Sequence, residues 1–273
     1  MTSLDMQCLK DIPYIERDGQ TLALDLFLPD STPPSGLMMF AHGGGFMKGD
    51  RVGPPAEKLA RRLTNLGVAM ASISYRLNAE DTDLPVPIRR QVYANRRRAK
   101  DDGITLQHNL MGPRFEAARQ DVGAAFEFLR RDQCPTNFNA LPIGLIGISA
   151  GGMVGLSLVF PSDNLPSYEK PACVIALGAA LQHPWALTEN AAPCLMLHSC
   201  EDRIVPTKNC EVLAPLIAQA NAPIDIQICE KKGHNAPVHA LFDGGAPNGT
   251  PYWQMALDLM RQAGVLSPSR AGA

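Results

Sequence analysis

A serine stands at the centre of a glycine-flanked pentapeptide, Gly147-Ile148-Ser149-Ala150-Gly151. The apolar run 141–148 predicts a buried strand, and the small, apolar residues of 150–160 predict a helix. The G-x-S-x-G spacing is that of a nucleophile elbow, a strained strand-to-helix turn in which larger side chains at the glycine positions would clash. The Ala150 N–H at the helix start would then stabilise an oxyanion. The alternative is a glycine-rich turn that only packs closely, because this spacing also occurs by chance.

Six histidines compete as the base that would accept the proton of this serine. A serine hydroxyl is a weak nucleophile without such a base, and the base needs a carboxylate to orient its ring. His234 directly follows the last apolar strand, which places it at the carboxyl edge of a parallel sheet, beside the elbow. His239 is the near rival, but it lies beyond Pro237 in the next turn. Packing or loop roles are available to the others, His42, His108, His183 and His198.

Asp202 is the expected carboxylate partner of His234. It lies in the loop 200–206, which follows an apolar strand predicted at 195–198 and reaches the same edge of the sheet. Glu201 is the neighbouring alternative, whereas Asp225 would open a strand at the opposite edge. Either loop acid could instead be solvated or cap the helix that begins near Thr207.

A second chemical signal is the segment His42-Gly43-Gly44-Gly45-Phe46, which follows the apolar strand predicted at 37–41. Backbone N–H groups without side chains can crowd around a ligand oxygen, so Gly44 and Gly45 are candidate oxyanion donors. The competing interpretation is a phosphate-binding loop. No Gly-Lys-Ser/Thr follows, and no G-x-G-x-x-G pattern with a later acidic partner is present, which disfavours nucleotide binding.

The elements that must position these residues alternate between strand and helix patterns. Such alternation predicts one α/β domain over 1–273, with a mostly parallel central sheet flanked by helices. Strands are predicted at 21–28, 37–41, 68–74, 141–148, 174–177, 195–198 and 224–228. Helices are predicted at 54–66, 115–131, 150–160, 207–219 and 253–262.

The segment 79–113 interrupts this alternation. It is polar and carries five arginines alongside five acidic residues. Loops this long in compact domains are usually functional covers or disordered segments, so we expect a partly helical lid over the site. The alternative to a lid is a solvent-exposed loop. The arginines could select an acidic substrate, although such a charge run is more often a solvated face.

Composition excludes several function classes. The chain of 273 residues is 45% hydrophobic and 19% charged, with a net charge of −2, which argues against a nucleic-acid or membrane partner. The N-terminal residues lack the basic start and apolar centre of a signal peptide, so we expect a cytoplasmic protein. The seven cysteines show no C-x-x-C spacing, and a metal site around His198, between Cys194 and Cys200, is disfavoured. The oligomeric state stays open, with a homodimer as one alternative.

These motifs together resemble a known family, the α/β-hydrolases. They are most similar to serine esterases with a His-Gly-Gly-Gly oxyanion loop, which include the hormone-sensitive-lipase-like group and its bacterial acetyl- and feruloyl-esterase relatives. The chain order Ser149, Asp202, His234 is that of the family. The matching segments cover most of 21–239 and are His42-Gly43-Gly44-Gly45-Phe46, Ser74-Tyr75-Arg76-Leu77, Phe115-Glu116-Ala117-Ala118 to Asp121-Val122, Gly147-Ile148-Ser149-Ala150-Gly151-Gly152, Asp202 with Val205-Pro206, and Gly233-His234.

Two departures bear on the substrate. The lipase-like branch usually has an acidic residue before the nucleophile, where this chain has Ile148, and an N-terminal cap before its glycine loop, for which 41 residues leave little room. The resemblance therefore favours the acetyl- and feruloyl-esterase side, with the segment 79–113 in place of the cap.

The resemblance implies a hydrolase of small-molecule carboxylic esters that needs no metal or organic cofactor. Ser149 would be the nucleophile, His234 the base and Asp202 its orienting acid, with Gly44, Gly45 and Ala150 as oxyanion donors. A short acyl pocket walled by Phe46 and the loop 242–253 is a further expectation. An amidase, arylformamidase or peptidase on the same triad is the enzymatic alternative, and a non-catalytic ligand receptor is the other.

Overall fold

The structure, a computed structural model, describes residues 6–17, 19–30 and 33–268. Its eight strands form a single sheet in the order β1-β2-β4-β3-β5-β6-β7-β8. β1 and β2 are antiparallel to their neighbours, and β3 to β8 run parallel. The strands are β1 (Gln7–Arg17), β2 (Gln20–Leu28), β3 (Leu37–Ala41), β4 (Ala69–Ile73), β5 (Ile143–Ile148), β6 (Val174–Leu177), β7 (Cys194–Ser199) and β8 (Ile224–Cys229).

The described residues also form seven α-helices. They are α1 (Pro54–Thr64), α2 (Val86–Asp101), α3 (Pro113–Leu129), α4 (Ala150–Val159), α5 (Lys208–Gln219), α6 (Ala236–Asp243) and α7 (Tyr252–Gln262). Apolar side chains of α3, α4 and α5 belong to the buried cluster on one face, and those of α1, α6 and α7 to the cluster on the other. This confirms the predicted class of a mostly parallel sheet flanked by helices.

β3 shows why the strands that carry the site lie in the middle of the sheet. All five of its residues are buried, and it pairs with β4 on one side and β5 on the other. Because successive side chains point to opposite faces, Met39 belongs to one apolar cluster while Met38 and Phe40 belong to the other. Both faces of such a strand are buried only where helices cover the sheet on each side.

Two elements were not predicted. β1 is an edge strand whose residues are largely exposed or half-buried, so it lacks the apolar alternation that marks a core-facing strand. α6 is only 8 residues long and begins with Ala236 and Pro237. A proline is tolerated in the first helical turn, so it marks the start of this helix and not its interruption.

The segment 79–113 is ordered and packs against the domain. It contains α2 between two short 3₁₀ turns, Asp81–Asp83 and His108–Leu110. α2 buries Val92, Asn95 and Ala99, and Val92 packs with Leu84 and Leu165. Within the described ranges, no helix combines the length and apolarity that crossing a bilayer would require.

Candidate active site

Ser149 lies in the turn between the end of β5 and the start of α4. Its backbone has φ 50° and ψ −111°, a conformation that is strained for any residue with a side chain. The surroundings hold this strain in place, because the Ser149 N–H donates to the Leu177 carbonyl at 2.7 Å. A Cβ at Gly147 would overlap the backbone of Gly151 and Gly152, and one at Gly151 would overlap the Ala41 carbonyl. Both flanking glycines are therefore required for the close passage of strand and helix.

His234 joins Ser149 to Asp202. Its Nε2 lies 2.8 Å from Ser149 Oγ, and its Nδ1 lies 2.7 Å from Asp202 Oδ2. A carboxylate can only accept, so Nδ1 carries the proton and Nε2 offers its lone pair to the serine hydroxyl. The Ser149 and Asp202 side chains are buried, whereas that of His234 is 21% exposed. The three side chains thus form a continuous hydrogen-bonded chain from the Asp202 carboxylate to the Ser149 hydroxyl.

Asp202 is held at both carboxylate oxygens. Oδ2 accepts from His234, and Oδ1 accepts from the N–H groups of Ile204 and Val205 at 2.8 and 3.0 Å. Burial alone would raise the pKa of Asp202, but these hydrogen bonds outweigh it, with the His234 contact contributing most, and lower the pKa below its usual value. The carboxylate is therefore charged at neutral pH and suited to stabilise a positive charge on His234.

The rival residues have other surroundings. His239 lies on α6, and the hydrogen bonds of Ser149 and Asp202 are made to His234 and not to His239. The Glu201 carboxylate pairs with Lys232 at 2.9 Å and Arg203 at 3.4 Å at the surface. Asp225 accepts from Gln227 on β8. The structure thus brings together the three residues that were preferred from the sequence, and their catalytic roles stay predictions.

The glycine loop borders the same site. Gly44 and Gly45 have φ of 118° and 65°, and a Cβ at Gly44 would overlap the Lys48 carbonyl. Among the described residues, no backbone carbonyl accepts from the N–H groups of Gly44 or Gly45. The Ala150 N–H, as the first of α4, has no partner within its own helix. These three backbone N–H groups therefore have no hydrogen-bond partner among the described residues.

His42 and Tyr75 hold the start of this loop. Their rings stack with centroids 4.2 Å apart, and the Tyr75 hydroxyl donates to the His42 carbonyl at 2.7 Å. Burial lowers the pKa of His42, although a hydrogen bond with the Gly43 carbonyl and the nearby Asp50 charge oppose this effect. His42 is thus a neutral packing residue. Tyr75 supports the glycine loop, a role that its sequence motif did not indicate.

A cavity of about 700 Å³ opens above Ser149 and His234. Amide side chains of Gln107, Asn109 and Asn235 line part of it. The large apolar side chains of Met47, Val52 and Ile204 also line it, and each is at least 42% exposed. Gln107 and Asn109 come from the end of the segment 79–113. Neither amide belongs to a sequence motif, so their place in the cavity wall was not predicted.

Phe46 does not line this cavity. It is fully buried beneath the glycine loop, where its ring packs against Tyr75 and Phe115. Phe242 and Trp253 pack against each other beside Arg62, and neither is among the residues that line the cavity. The structure therefore does not bring the expected acyl-pocket residues to the serine, because the apolar side chain after the glycines turns into the core.

Metal-ligand clusters are absent from the part of the chain that the structure describes, where no three His, Cys, Asp or Glu side chains are grouped suitably. All seven cysteines lie in that part and are free thiols. Five of them are buried, while Cys200 is exposed and Cys8 is half-buried.

Comparison with known proteins identifies the fold. No protein-family model and no curated protein matches the chain. Among solved structures, esterase 2 of Thermogutta terrifontis phosphorylated by paraoxon is 15% identical, with a TM-score of 0.63 over 98% of this chain and 97% of that one. A truncated carbohydrate esterase from gut microbiota is 14% identical, with a TM-score of 0.65 over 97% and 98% of the chains. The chain therefore has the α/β-hydrolase fold.

Proposed function

We propose that this protein hydrolyses carboxylic esters through an acyl-enzyme intermediate on Ser149. The observation that carries the proposal is the pair of hydrogen bonds of 2.8 and 2.7 Å that link Ser149 to His234 and His234 to Asp202. A serine, a histidine and a carboxylate in this geometry constitute the general arrangement for activating a hydroxyl for acyl transfer.

The residues support a two-step reaction. Ser149 Oγ attacks the ester carbonyl while His234 Nε2 accepts the hydroxyl proton, and Asp202 stabilises the resulting imidazolium. His234 then gives this proton to the departing alcohol oxygen, so that an acyl-serine remains. A water molecule repeats the sequence: its proton goes to His234, its oxygen attacks the acyl carbon, and the proton returns to Ser149 as the acid leaves.

The free backbone donors fit the charge that develops in both steps. Each tetrahedral intermediate carries a negative oxygen, and the N–H groups of Gly44, Gly45 and Ala150 lie on the two elements that flank Ser149. Because these donors are fixed by loop and helix geometry, they need no reorganisation during the reaction. This preorganisation is the second support for acyl-transfer chemistry.

The structural neighbours provide independent support for the bond that is cleaved. Esterase 2 of Thermogutta terrifontis is described as phosphorylated by paraoxon, and another neighbour as a carbohydrate esterase. Covalent modification by an organophosphate is the reactivity that we expect of an activated serine. The neighbours therefore support ester hydrolysis as the activity of this chain. Their individual substrates are not part of the proposal.

We also propose that the segment 79–113 forms part of the cover of the site. Its final turn contributes Gln107, Asn109 and Leu110 to the cavity wall.

The preference for short acyl chains now has less support, because Phe46 is buried elsewhere and a cavity of about 700 Å³ is larger than an acetyl group requires. A series of p-nitrophenyl esters from acetate to decanoate tests it, and equal turnover of the long chains would contradict it.

The activity itself is tested with p-nitrophenyl acetate and butyrate, together with fluorophosphonate labelling followed by mass spectrometry. Wild type should turn over and carry the label on Ser149, and Ser149→Ala should lose both. Ser157→Ala is the matched control, because Ser157 is a buried serine on α4 that donates to the Val154 carbonyl and should be dispensable.

Each other outcome has a defined meaning. Turnover that survives Ser149→Ala would show that the nucleophile is another residue. Labelling without ester turnover would favour the amidase or arylformamidase alternative, which anilide and formanilide substrates would then test. An unlabelled and inactive wild type would contradict the proposal and favour a ligand receptor.

A further inference from the structure

A second histidine, His198, lies against Asp202. It is on β7, four residues before Asp202, and its side chain is fully buried. Its Nε2 lies 2.8 Å from the Val205 carbonyl and 3.6 Å from Asp202 Oδ2, the same oxygen that accepts from His234. Asp202 is therefore placed between two imidazoles, only one of which reaches the serine.

The contacts define the tautomer of His198. A carbonyl can only accept, so the hydrogen bond to Val205 requires the proton on Nε2. Burial lowers the pKa of His198, even though the Val205 carbonyl and the Asp202 charge oppose the effect. The ring is therefore neutral, and its Nε2–H donates to the Val205 carbonyl with the positive end of the N–H dipole near Asp202 Oδ2.

The peptide groups of Val205 connect His198 to the carboxylate. The Val205 carbonyl accepts from His198, and the Val205 N–H donates to Asp202 Oδ1 at 3.0 Å. The Val205 side chain is itself fully buried. His198 thus holds the residue that supplies one of the two backbone donors to Oδ1, and these donors leave Oδ2 facing His234.

We infer that His198 is a positioning residue for ester hydrolysis, acting through Val205 to fix the rotamer of Asp202 and hence the orientation of His234. The inference rests on the proposed function. A buried histidine with a purely structural role would stabilise the fold without affecting the reactivity of Ser149. The inferred role requires that loss of the His198 donor slow the chemistry in protein that remains folded.

Three substitutions separate these possibilities. His198→Gln keeps an N–H near the position of Nε2, His198→Asn keeps an amide that is too short to reach Val205, and His198→Leu removes the donor. Should His198→Leu fail to fold, His198→Gln and His198→Asn still differ only in the reach of their amide groups. His183→Leu is the matched control. This substitution also removes a buried histidine, but His183 packs against Phe115 and Trp185 and not against Asp202 or Val205.

The measurement is the rate constant of fluorophosphonate labelling of Ser149, with kcat and KM for p-nitrophenyl acetate and with thermal unfolding of each variant. We expect His198→Asn and His198→Leu to label and turn over about 10- to 100-fold more slowly at nearly unchanged KM, as for a small misplacement of a catalytic group. His198→Gln and His183→Leu should stay close to wild type.

A proton NMR signature tests the geometry without any substrate. The Nδ1–H of His234, hydrogen-bonded to a carboxylate, should give a strongly downfield resonance that Asp202→Asn abolishes. We expect this resonance to weaken or shift upfield in His198→Asn and to persist in His198→Gln.

The two proposals fail in different ways. If wild type labels and turns over, and His198→Asn does the same at the wild-type rate with an unchanged resonance, the role of His198 is refuted while the esterase proposal stands. The role is also refuted if His198→Gln is as slow as His198→Asn, since reach to Val205 would then not matter. A wild type that neither labels nor turns over refutes the proposed function itself.

Discussion

His234 Nδ1 and Asp202 Oδ2 lie 2.7 Å apart although the two residues come from different loops. The loops follow the neighbouring strands β8 and β7, and they are bonded to each other where the Gly233 N–H donates to the Glu201 carbonyl at 2.7 Å. The Ser199 hydroxyl at the end of β7 adds a bond to the Lys231 carbonyl at 2.8 Å. These backbone contacts at the edge of the sheet thus fix the separation of the two loops, and with it the distance between acid and base.

This relationship makes Asp202→Asn a test of orientation. An asparagine of nearly the same shape can present its amide to His234 and favour the wrong tautomer, so we expect kcat to fall about 10³- to 10⁴-fold. The measurement is steady-state hydrolysis of p-nitrophenyl acetate. Glu201→Gln is the control, because Glu201 is the adjacent acid but is exposed and pairs with Lys232 and Arg203. Equal losses in both variants would show that the loop, and not Asp202, is what matters.

Gly44→Ala tests the oxyanion loop. The added methyl group would overlap the Lys48 carbonyl at a backbone φ of 118°, so the loop must shift and move its N–H groups away from the site. Loss of one such donor typically costs about 10² to 10³ in kcat, and we expect a fall in that range.

Gly53→Ala is the control for this variant. Gly53 has a similar φ of 135°, but a Cβ there would meet no atom within 4 Å. It should therefore show the stability cost of a strained backbone with kcat retained. A Gly44→Ala enzyme with wild-type kcat would remove Gly44 from the proposed oxyanion site.

Acid stability should depend on His183, which is buried beside Phe115 and Trp185. Burial, aided by the Arg119 charge, lowers the pKa of His183 to about 3. The unfolded chain takes up this proton below about pH 6.5 while the folded protein does not, so stability is present above that pH and is lost as the pH falls toward 3.

The expected slope is roughly 1.4 kcal/mol of unfolding free energy per pH unit for this one group. Urea unfolding between pH 7 and pH 4 measures it, and His183→Gln should show a correspondingly shallower loss. A variant that loses stability as steeply as wild type would mean that other groups dominate the acid response.

A buried ion pair attaches α3 to the loop after β4. Asp121 is fully buried and accepts from the backbone N–H of Arg76 at 2.8 Å and from its Nε at 2.9 Å. Asp121→Ala leaves the guanidinium without this charge, so we expect a loss of about 3–5 kcal/mol of unfolding free energy. Urea denaturation checks it, with the exposed Asp132→Ala as the control. A loss below about 1 kcal/mol, the usual range of a surface pair, would contradict it.

The sequence predicted the central sheet and the residues of the site because strong signals coincide there. β3 is apolar on both faces, β5 ends at a glycine-flanked serine, and the loops after β7 and β8 carry Asp202 and His234, the preferred acid and base. Parallel strands bring such loops to one edge, so topology converts separate motifs into a site.

Other features depend on three-dimensional contacts that have no pattern along the chain. Phe46 follows the glycines directly, but with φ 63° its ring turns inward to Phe115, a residue almost 70 positions away. Gln107 and Asn109 reach the cavity only because α2 packs against the domain. His198 is a similar case. A packing role could be predicted from its place in an apolar strand, but its contacts with Val205 and Asp202 could not.

The role proposed for the segment 79–113 leads to a prediction at Asn109. Its amide Nδ2 lies 3.8 Å from Met47 Sδ, next to Gly45, and its side chain lines the cavity. A substrate that fills this space should contact the amide, and removing one hydrogen bond costs roughly 0.5–1.5 kcal/mol, so Asn109→Ala should raise KM about two- to tenfold for the esters it contacts. Fluorophosphonate labelling by a small reagent should be unchanged, since the serine and its base are untouched. Arg97→Ala, on the exposed side of α2, is the control and should leave KM unchanged. If Asn109→Ala keeps a wild-type KM for every ester from acetate to decanoate, the segment covers the cavity without binding substrate through this residue.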